Sequence, residues 1–529
     1  MNAVALNPYA TPGEALRDLA RRWPQRLAQL FPQSGSSLTF AQWLQQAECA
    51  ARGLIDLGVR PGEHVALLAE NRIEWPVVQM ACALGGFVLV PLNSHYRRDD
   101  LGYALAQSDS VVLFLSESFR SNPYLENLRA LRPGLPKLRH VVCFDGRPAD
   151  AMAYGDLVAL GEGREHRLPD AGGRMPAALL YTSGTTGQPK GALLDHRGML
   201  GNAWGTATRL AVGLEDRWIS IIPLFHCAGC IMSLLGCLQT GACMVGVPAY
   251  DPVSMFRAIE SERCTLLSGV PTSYIGMLNH AERTRFDLGS LRAGTCGGAD
   301  TDAAMLERCA REFPIPRVAQ VYGQTEVNTL VACPAIDDDE RFTTAGRPLP
   351  GLEVRITNPQ SGAALAAGTI GQIEARGPLA MLGYYNKPEE TAETIAPDGW
   401  LRTGDLGMLT PEGRVVVSGG RLRDMIIRGG ENIYPAEIEN LLRRHPAVAE
   451  VAVFAVVDDY YGEAVAAAVM LKSPAASEDL RGFCDGRIAR FKLPARLYAV
   501  GQFPVTASGK IRKTELRRLA ESGALEPLP

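Results

Sequence analysis

Several features are scarce or missing in this sequence, and each gap excludes a class of protein. Across 529 residues, 53 Lys and Arg stand against 57 Asp and Glu, a net charge of −4, so there is no basic field for nucleic acid. No apolar run is long enough to cross a membrane. The nearest candidate, residues 75–92, is interrupted by Pro76, Gln79 and Gly85-Gly86, and reads as a buried helix, a turn and a buried strand. The opening Met-Asn-Ala-Val-Ala-Leu-Asn-Pro lacks a basic region followed by an apolar stretch, so no secretory leader is expected. Twelve cysteines follow no disulfide-framework spacing, which suits reduced, mostly buried thiols in a cytoplasmic protein. Cys227-Ala-Gly-Cys230, beside His226, has no second Cys/His pair at a zinc-like interval, and its apolar flanks favour core thiols. Internal repeats and low-complexity tracts are also lacking.

What is present is the composition of a soluble globular chain, with 47% hydrophobic residues, and the length implies at least two domains. Helix-period segments at 40–57, 75–84 and 101–106 alternate with short apolar runs at 65–69, 87–90 and 111–115. That alternation predicts parallel sheet with crossover helices, and a similar rhythm recurs between Ile219 and Val321. From Gly351 the texture changes to short β-rich pieces at 352–357, 371–375 and 414–418. Past residues 421–424 comes a compact mix: an apolar run at 425–427, helices at 435–444 and 478–489, and strands at 451–456 and 464–471. The expected fold class is therefore α/β: a large N-terminal domain (1–421) of parallel-sheet α/β subdomains plus a β-rich subdomain, and a small α+β C-terminal domain (424–529).

The most informative stretch is Tyr181-Thr-Ser-Gly-Thr-Thr-Gly-Gln-Pro-Lys-Gly191. Gly184 and Gly187 let backbone N–H groups approach an anion, Thr182, Ser183, Thr185 and Thr186 supply hydroxyl donors, and Lys190 adds a cation. It reads as a phosphate cradle following an apolar strand and preceding a helix from about His196. It is not a nucleotide-hydrolase P-loop, which places four residues between its glycines; two separate Gly184 from Gly187, and Lys190 follows Pro189.

Four further motifs lie downstream: Gln320-Val-Tyr-Gly-Gln-Thr-Glu326, Trp400-Leu-Arg-Thr-Gly-Asp-Leu-Gly407, Gly420-Arg-Leu-Arg-Asp424 running on through Gly429-Gly-Glu-Asn-Ile-Tyr-Pro-Ala-Glu437, and Pro504-Val-Thr-Ala-Ser-Gly-Lys510. In order, spacing and wording they resemble the adenylate-forming superfamily of acyl-CoA synthetases, luciferases and peptide-synthetase adenylation domains. The resemblance covers nearly the whole chain. It implies a reaction in which a carboxylate attacks the α-phosphate of ATP, giving an acyl-adenylate and pyrophosphate. Both reactants are anionic, so charge neutralisation and alignment dominate the protein's task.

By this resemblance, the 183–190 loop holds the β- and γ-phosphates, Thr325 touches the α-phosphate, and Glu326 helps hold Mg2+, a hard cation suited to carboxylate and phosphate oxygens. Tyr322 stacks on adenine, with Gly297-Gly298-Ala299 packed against the base. Asp405 accepts from the ribose hydroxyls and Arg421 donates to the same sugar; taken singly, Asp405 could equally cap a turn. The small C-terminal domain is implied to be mobile, with Lys510 reaching the reacting carboxylate during adenylation. The domain then rotates about Arg423, the hinge within 422–424, where relatives carry Asp or Lys. Gly429 and Gly430 then leave room for a pantetheine arm. His226, in Pro223-Leu-Phe-His226, resembles a family segment that gates or orients the carboxylate, though a lone histidine ending an apolar strand also fits a satisfied core residue. Leu194-Asp195-His196 departs from the Thr-His usual in relatives.

Residues 429–439 resemble the wording of CoA ligases of the fatty-acid, chlorobenzoate and carnitine types. The sequence runs 19 residues past Lys510, with no carrier domain among them, so a diffusible thiol, CoA, is the expected acceptor. The acyl pocket is expected from Trp204, His226 to Gly229, Thr272 to Tyr274, Gly297-Gly298 and Val321, which favours a carboxylic acid with an uncharged acyl tail, aliphatic or aromatic. Two alternatives stand beside the CoA ligase: a stand-alone adenylating enzyme that loads a separate carrier protein, and a nucleotide-binding regulator that has lost catalysis. Self-association as a homo-oligomer is compatible with the sequence. Lys510→Ala should abolish adenylate formation yet spare thioester formation from synthetic acyl-adenylate; equal loss of both half-reactions would remove the assigned role.

Overall fold

The computed structural model describes residues 7–164, 166–169, 172–182, 189–299, 301–313, 315–421, 424–428, 431–433, 435–458, 461–485, 487–488, 490–505 and 511–529. The chain divides into two compact units, Met1–Val354 with Ala375–Leu401, and Arg355–Glu374 with Arg402–Pro529.

The first unit is built on two sheets. In one, eight strands run in the order Gly383–Tyr384, Lys190–Asp195, Pro176–Thr182, Val88–Pro91, His64–Leu68, Val112–Leu115, His140–Cys143, Met152–Ala153. The strands from Pro176–Thr182 onward are parallel, as the alternation at 40–115 predicts, and the first two are antiparallel additions. Crossover helices appear where the 3.6-residue period places them: Phe40–Asp56, Glu74–Gly85 and Arg98–Gln107. Thr39 starts the first through a capping box with Gln42, and Phe40, Trp43, Ala47, Ala50 and Leu54 form its buried stripe. The second is buried all round and stops at Gly86, whose φ of 69° suits a residue without Cβ. Strand Val88–Pro91 follows directly, so residues 75–92 form the buried helix, turn and strand read from the sequence. Among the described residues, no helix is long and apolar enough to cross a membrane.

The other sheet has seven strands in the order Arg317–Gln320, Ala293–Cys296, Leu266–Gly269, Arg217–Ser220, Cys243–Val245, Leu27–Phe31, Ser36–Thr39. The first six are parallel. From Arg217–Ser220 the chain steps one way to Cys243–Val245 and then the other way to Leu266–Gly269. That reversal opens a crevice at the carboxyl ends of the strands, where open α/β sheets bind ligands.

The second unit carries a four-stranded sheet, in the order Glu353–Thr357, Gly371–Arg376, Leu401–Leu409, Val415–Arg421, and a six-stranded sheet centred on Gly462–Leu471. Along the hairpin Val448–Asp458 and Gly462–Leu471, alternate residues bury into two different cores. Val451, Val453, Val465 and Val469 join one, while Ala452, Phe454, Val456 and Ala466 join the other. The helix expected at 478–489 is Ser477–Cys484 and ends where Asp485 turns to an extended backbone. The α/β class with a C-terminal α+β part is thus observed; the expected hinge at 422–424 falls mainly outside the described residues.

Helix His196–Arg209 starts where the sequence places it, with Asp195 accepting from the Gly198 N–H at 2.6 Å. His196 itself is 1% exposed, and neither ring nitrogen meets a hydrogen-bond partner among the described residues. Burial pushes its pKa down to about 4, so the ring is neutral in the fold. The unfolded chain takes up this proton near pH 6.5 and the folded one does not, so stability is full above that pH and falls as pH drops toward 4. Between pH 7 and pH 4 the wild-type chain should lose about 3 kcal/mol more than His196→Asn, read from urea midpoints.

Candidate active site

Strand Pro176–Thr182 pairs antiparallel with Lys190–Asp195, Thr182 standing opposite Lys190, so the two strands form the legs of a hairpin. Ser183, Gly184, Thr185, Thr186 and Gly187 lie outside the described residues. Both legs of the hairpin are pinned to helix Arg98–Gln107: the Tyr103 hydroxyl donates to the Pro189 carbonyl at 2.8 Å, and the Tyr181 hydroxyl lies 2.8 Å from the Ala104 carbonyl. Lys190 is 8% exposed, and its ammonium sits 5.3 Å from the centre of the Tyr384 ring, within cation–π range.

Past strand Arg317–Gln320 the chain makes a tight turn, Thr325–Val327. Gly323 is required for it, because a Cβ there would lie 1.8 Å from the Thr329 carbonyl. Asn328 ends the turn with φ of 60°, and its side chain donates to the Leu379 carbonyl at 2.8 Å. Asn202, fully buried in helix His196–Arg209, ties the turn down. Its amide donates to the carbonyls of Val327 and Leu330, each at 2.8 Å, and its oxygen accepts from the Leu330 N–H at 3.1 Å.

Glu326 is fixed twice by the segment that carries Tyr384. Its carbonyl accepts from the Met381 N–H at 2.8 Å, and its Oε1 accepts from the Tyr384 hydroxyl, also at 2.8 Å. Burial, reinforced by the Glu326 charge, raises the Tyr384 phenol well above its ordinary pKa, which keeps it a protonated donor. Thr325 presents its hydroxyl 3.6 Å from the Cys227 thiol.

Cys227 follows His226 on the connection from strand Arg217–Ser220, ahead of a π-helical turn at Ala228–Ser233. The rings of Phe225 and His226 lie 4.4 Å apart, and Gly229 packs so closely on Pro223 that a Cβ would meet its carbonyl at 2.3 Å. The two cysteines of the Cys227/Cys230 pair differ: Cys230 is buried at 1% exposure, whereas Cys227 is half-buried beside Thr325. Burial pushes both thiols up, so neither is a thiolate at neutral pH.

Gly297 and Gly298 follow strand Ala293–Cys296, and a Cβ on Gly297 would meet the Val321 carbonyl at 2.6 Å. Tyr322, expected to stack on a base, is 7% exposed, its N–H and carbonyl engaged with Val331 and Ala332. Tyr274, expected in the acyl pocket, belongs to the core instead: it is fully buried with its hydroxyl 2.9 Å from the Leu267 carbonyl. The first unit therefore gathers Thr182, Lys190, Thr325, Glu326 and Tyr384 with His226, Gly297, Gly298 and Tyr322 on connections at strand ends.

In the second unit, Asp405 and Arg421 stand opposite each other on adjacent antiparallel strands. Asp405 sits beside a bulge, Gly404 having φ of 72°, and Thr403 accepts from the Asp405 N–H at 3.1 Å, so threonine supplies the local cap. Arg423, Gly429, Gly430 and Lys510 lie outside the described residues. Val505 and Ile511 pair across the segment that contains Lys510. Sequence reading missed Tyr384, Asn202 and Tyr103, which carry no motif of their own.

No cluster of three or more His, Cys, Asp or Glu able to hold a metal occurs among the described residues. Glu326 keeps a second carboxylate oxygen beyond the one Tyr384 engages. A single carboxylate suits Mg2+ that brings most of its ligands as water and phosphate oxygens, so the residues present fit that ion.

Residues 16–385 match the AMP-binding enzyme family and residues 437–510 match the AMP-binding enzyme C-terminal domain. The chain belongs to this family, and its type is that of the adenylate-forming acyl-CoA synthetases and ligases. It is 35% identical to Bacillus subtilis YngI, over 96% of this chain and 97% of that protein. Medium-chain acyl-CoA ligase ACSF2 of Danio rerio is 32% identical over 97% of this chain and 88% of its own. The crystal structure of ATP-bound MatB from Rhodopseudomonas palustris superposes with a TM-score of 0.86 at 28% identity, covering 96% of this chain and 99% of that one.

Asn202→Ala should strand three buried backbone groups and cost about 3 kcal/mol of stability. Urea unfolding checks the magnitude, and a change below about 0.5 kcal/mol would contradict the anchoring role.

Proposed function

We propose that this protein is an ATP-dependent carboxylic acid–CoA ligase that releases AMP and pyrophosphate. The observation that carries the reading is the convergence of the Lys190 ammonium, the Tyr384 ring and hydroxyl, and the Glu326 carboxylate beside Thr325. A cation and a single carboxylate at the mouth of a Gly/Thr hairpin suit a polyphosphate that arrives with its own metal. In this assignment the hairpin 183–190 holds the β- and γ-phosphates, Thr325 the α-phosphate, Tyr322 and Gly297-Gly298-Ala299 the adenine, and Asp405 with Arg421 the ribose. Glu326 would hold Mg2+, which supplies charge neutralisation on the phosphate oxygens.

The carboxylate oxygen attacks the α-phosphorus, the bond to the bridging oxygen of pyrophosphate breaks, and Lys510 stabilises the charge on the transferring oxygens. Rotation of residues 424–529 about Arg423 then admits CoA past Gly429 and Gly430, and the thiol displaces AMP from the acyl carbon. His226 orients the carboxylate. The acid is assigned as a fatty or related one with an uncharged tail; the name of the ACSF2 relative, a medium-chain acyl-CoA ligase, supports that class. A cytoplasmic setting is supported by twelve cysteines, all unpaired.

A panel of straight-chain and aromatic carboxylic acids, read by AMP release with and without CoA, tests the assignment. Medium-chain acids should give CoA-dependent AMP together with pyrophosphate. AMP release that requires a carrier protein would replace CoA as the acceptor, and ATP cleavage to ADP would overturn the reading.

A further inference from the structure

We infer that Tyr384 is the positioning residue that keeps the phosphate-loop cation and the metal-holding carboxylate apart and aimed at one ligand. The inference rests on the nucleotide-binding reading above and adds a residue that no motif of the sequence pointed to.

The placement follows from strand register. Gly383–Tyr384 pairs antiparallel with Lys190–Asp195, Tyr384 opposite Ala192. Lys190 lies two residues from Ala192 on the same face of its strand, which makes it the diagonal neighbour of Tyr384. The ring therefore lies beside the ammonium, at 5.3 Å, while the hydroxyl reaches the other way to Glu326 Oε1 at 2.8 Å. Main-chain bonds on both sides clamp the residue: Leu382 N–H donates to the Leu193 carbonyl and Tyr385 N–H to the Gly191 carbonyl, each at 2.8 Å. Its own N–H donates to the Thr391 hydroxyl at 2.9 Å.

A direct ion pair would spend both charges on each other. Among the described residues neither Lys190 nor Glu326 forms one; the aromatic face attends the cation and the phenol attends the anion. The ring leaves the ammonium's donors available to phosphate, and one phenolic hydrogen bond orients the carboxylate while leaving Oε2 for a metal. Tyr384→Phe keeps the ring and removes the hydroxyl, so it should disturb the Glu326 arm alone.

Calorimetric titration of the full-length protein with ATP, in Mg2+ and again in EDTA, separates the two arms. Tyr384→Phe should weaken ATP binding about tenfold in Mg2+ and leave the EDTA value unchanged. In a Glu326→Gln background the same substitution should have no further effect on the Mg2+ dependence. Equal weakening with and without Mg2+, or an unchanged affinity in both, would overturn the role of Tyr384. If the wild-type protein bound no ATP in Mg2+, the nucleotide-binding reading itself would fall, and this inference with it.

Discussion

The bridge from Lys190 through Tyr384 to Glu326 is the contact on which the catalytic reading depends, because it joins two sheets that have no strand in common. Lys190 belongs to the eight-stranded sheet and Glu326 to the turn beyond the last strand of the seven-stranded one. Nothing in local propensity brings those two together. A two-residue strand, Gly383–Tyr384, added to the edge of the first sheet does so, and Met381 fixes the backbone of Glu326 from the same segment. The site is thus held by regular pairing and by turns of defined geometry, which is how an enzyme acting on two anions can keep its charges preorganised before either arrives.

The supporting groups are engaged with the main chain, Asn202 fully buried and Tyr103 and Tyr181 half-buried. Asn202 satisfies three main-chain groups of the loop beyond Thr325, and Gly323 lets that loop fold back without a clash. Tyr103 and Tyr181 pin the two legs of the hairpin Pro176–Thr182/Lys190–Asp195 to one helix. Each exchanges water contacts for protein contacts that fix a backbone position, and misplacement by even an ångström is costly for in-line phosphoryl chemistry.

Much of the fold was legible because it is periodic. The alternation between residues 40 and 115 predicted the helices Phe40–Asp56 and Glu74–Gly85 and the strands His64–Leu68 and Val112–Leu115 to within a few residues, since buried parallel strands and amphipathic helices leave distinct spacings. The stretch that ends in Lys190 was legible for a different reason, the unusual density of its glycines and hydroxyls, whereas Thr325 and Glu326 were read from the resemblance of residues 320–326 to the adenylate-forming family. Tyr384 was not, because Gly-Tyr-Tyr-Asn reads as an ordinary turn and its partners lie far away in sequence. Asn202 was hidden in the middle of a helix, where its side-chain bonds leave no local signature. Tyr274 was misplaced because its apolar neighbours suit a pocket wall and a core equally; its hydroxyl is spent on main-chain carbonyls of the sheet. Helix Ser477–Cys484 is shorter than its apolar pattern because the backbone extends at Asp485.

The central claim is that a carboxylate oxygen becomes bonded to the α-phosphorus of ATP. Turnover of an acid labelled with 18O in both carboxylate oxygens, followed by mass spectrometry of the nucleotide product, tests it most directly. The account predicts AMP carrying one 18O atom and unlabelled pyrophosphate. Unlabelled AMP, or label in phosphate released beside ADP, would contradict it.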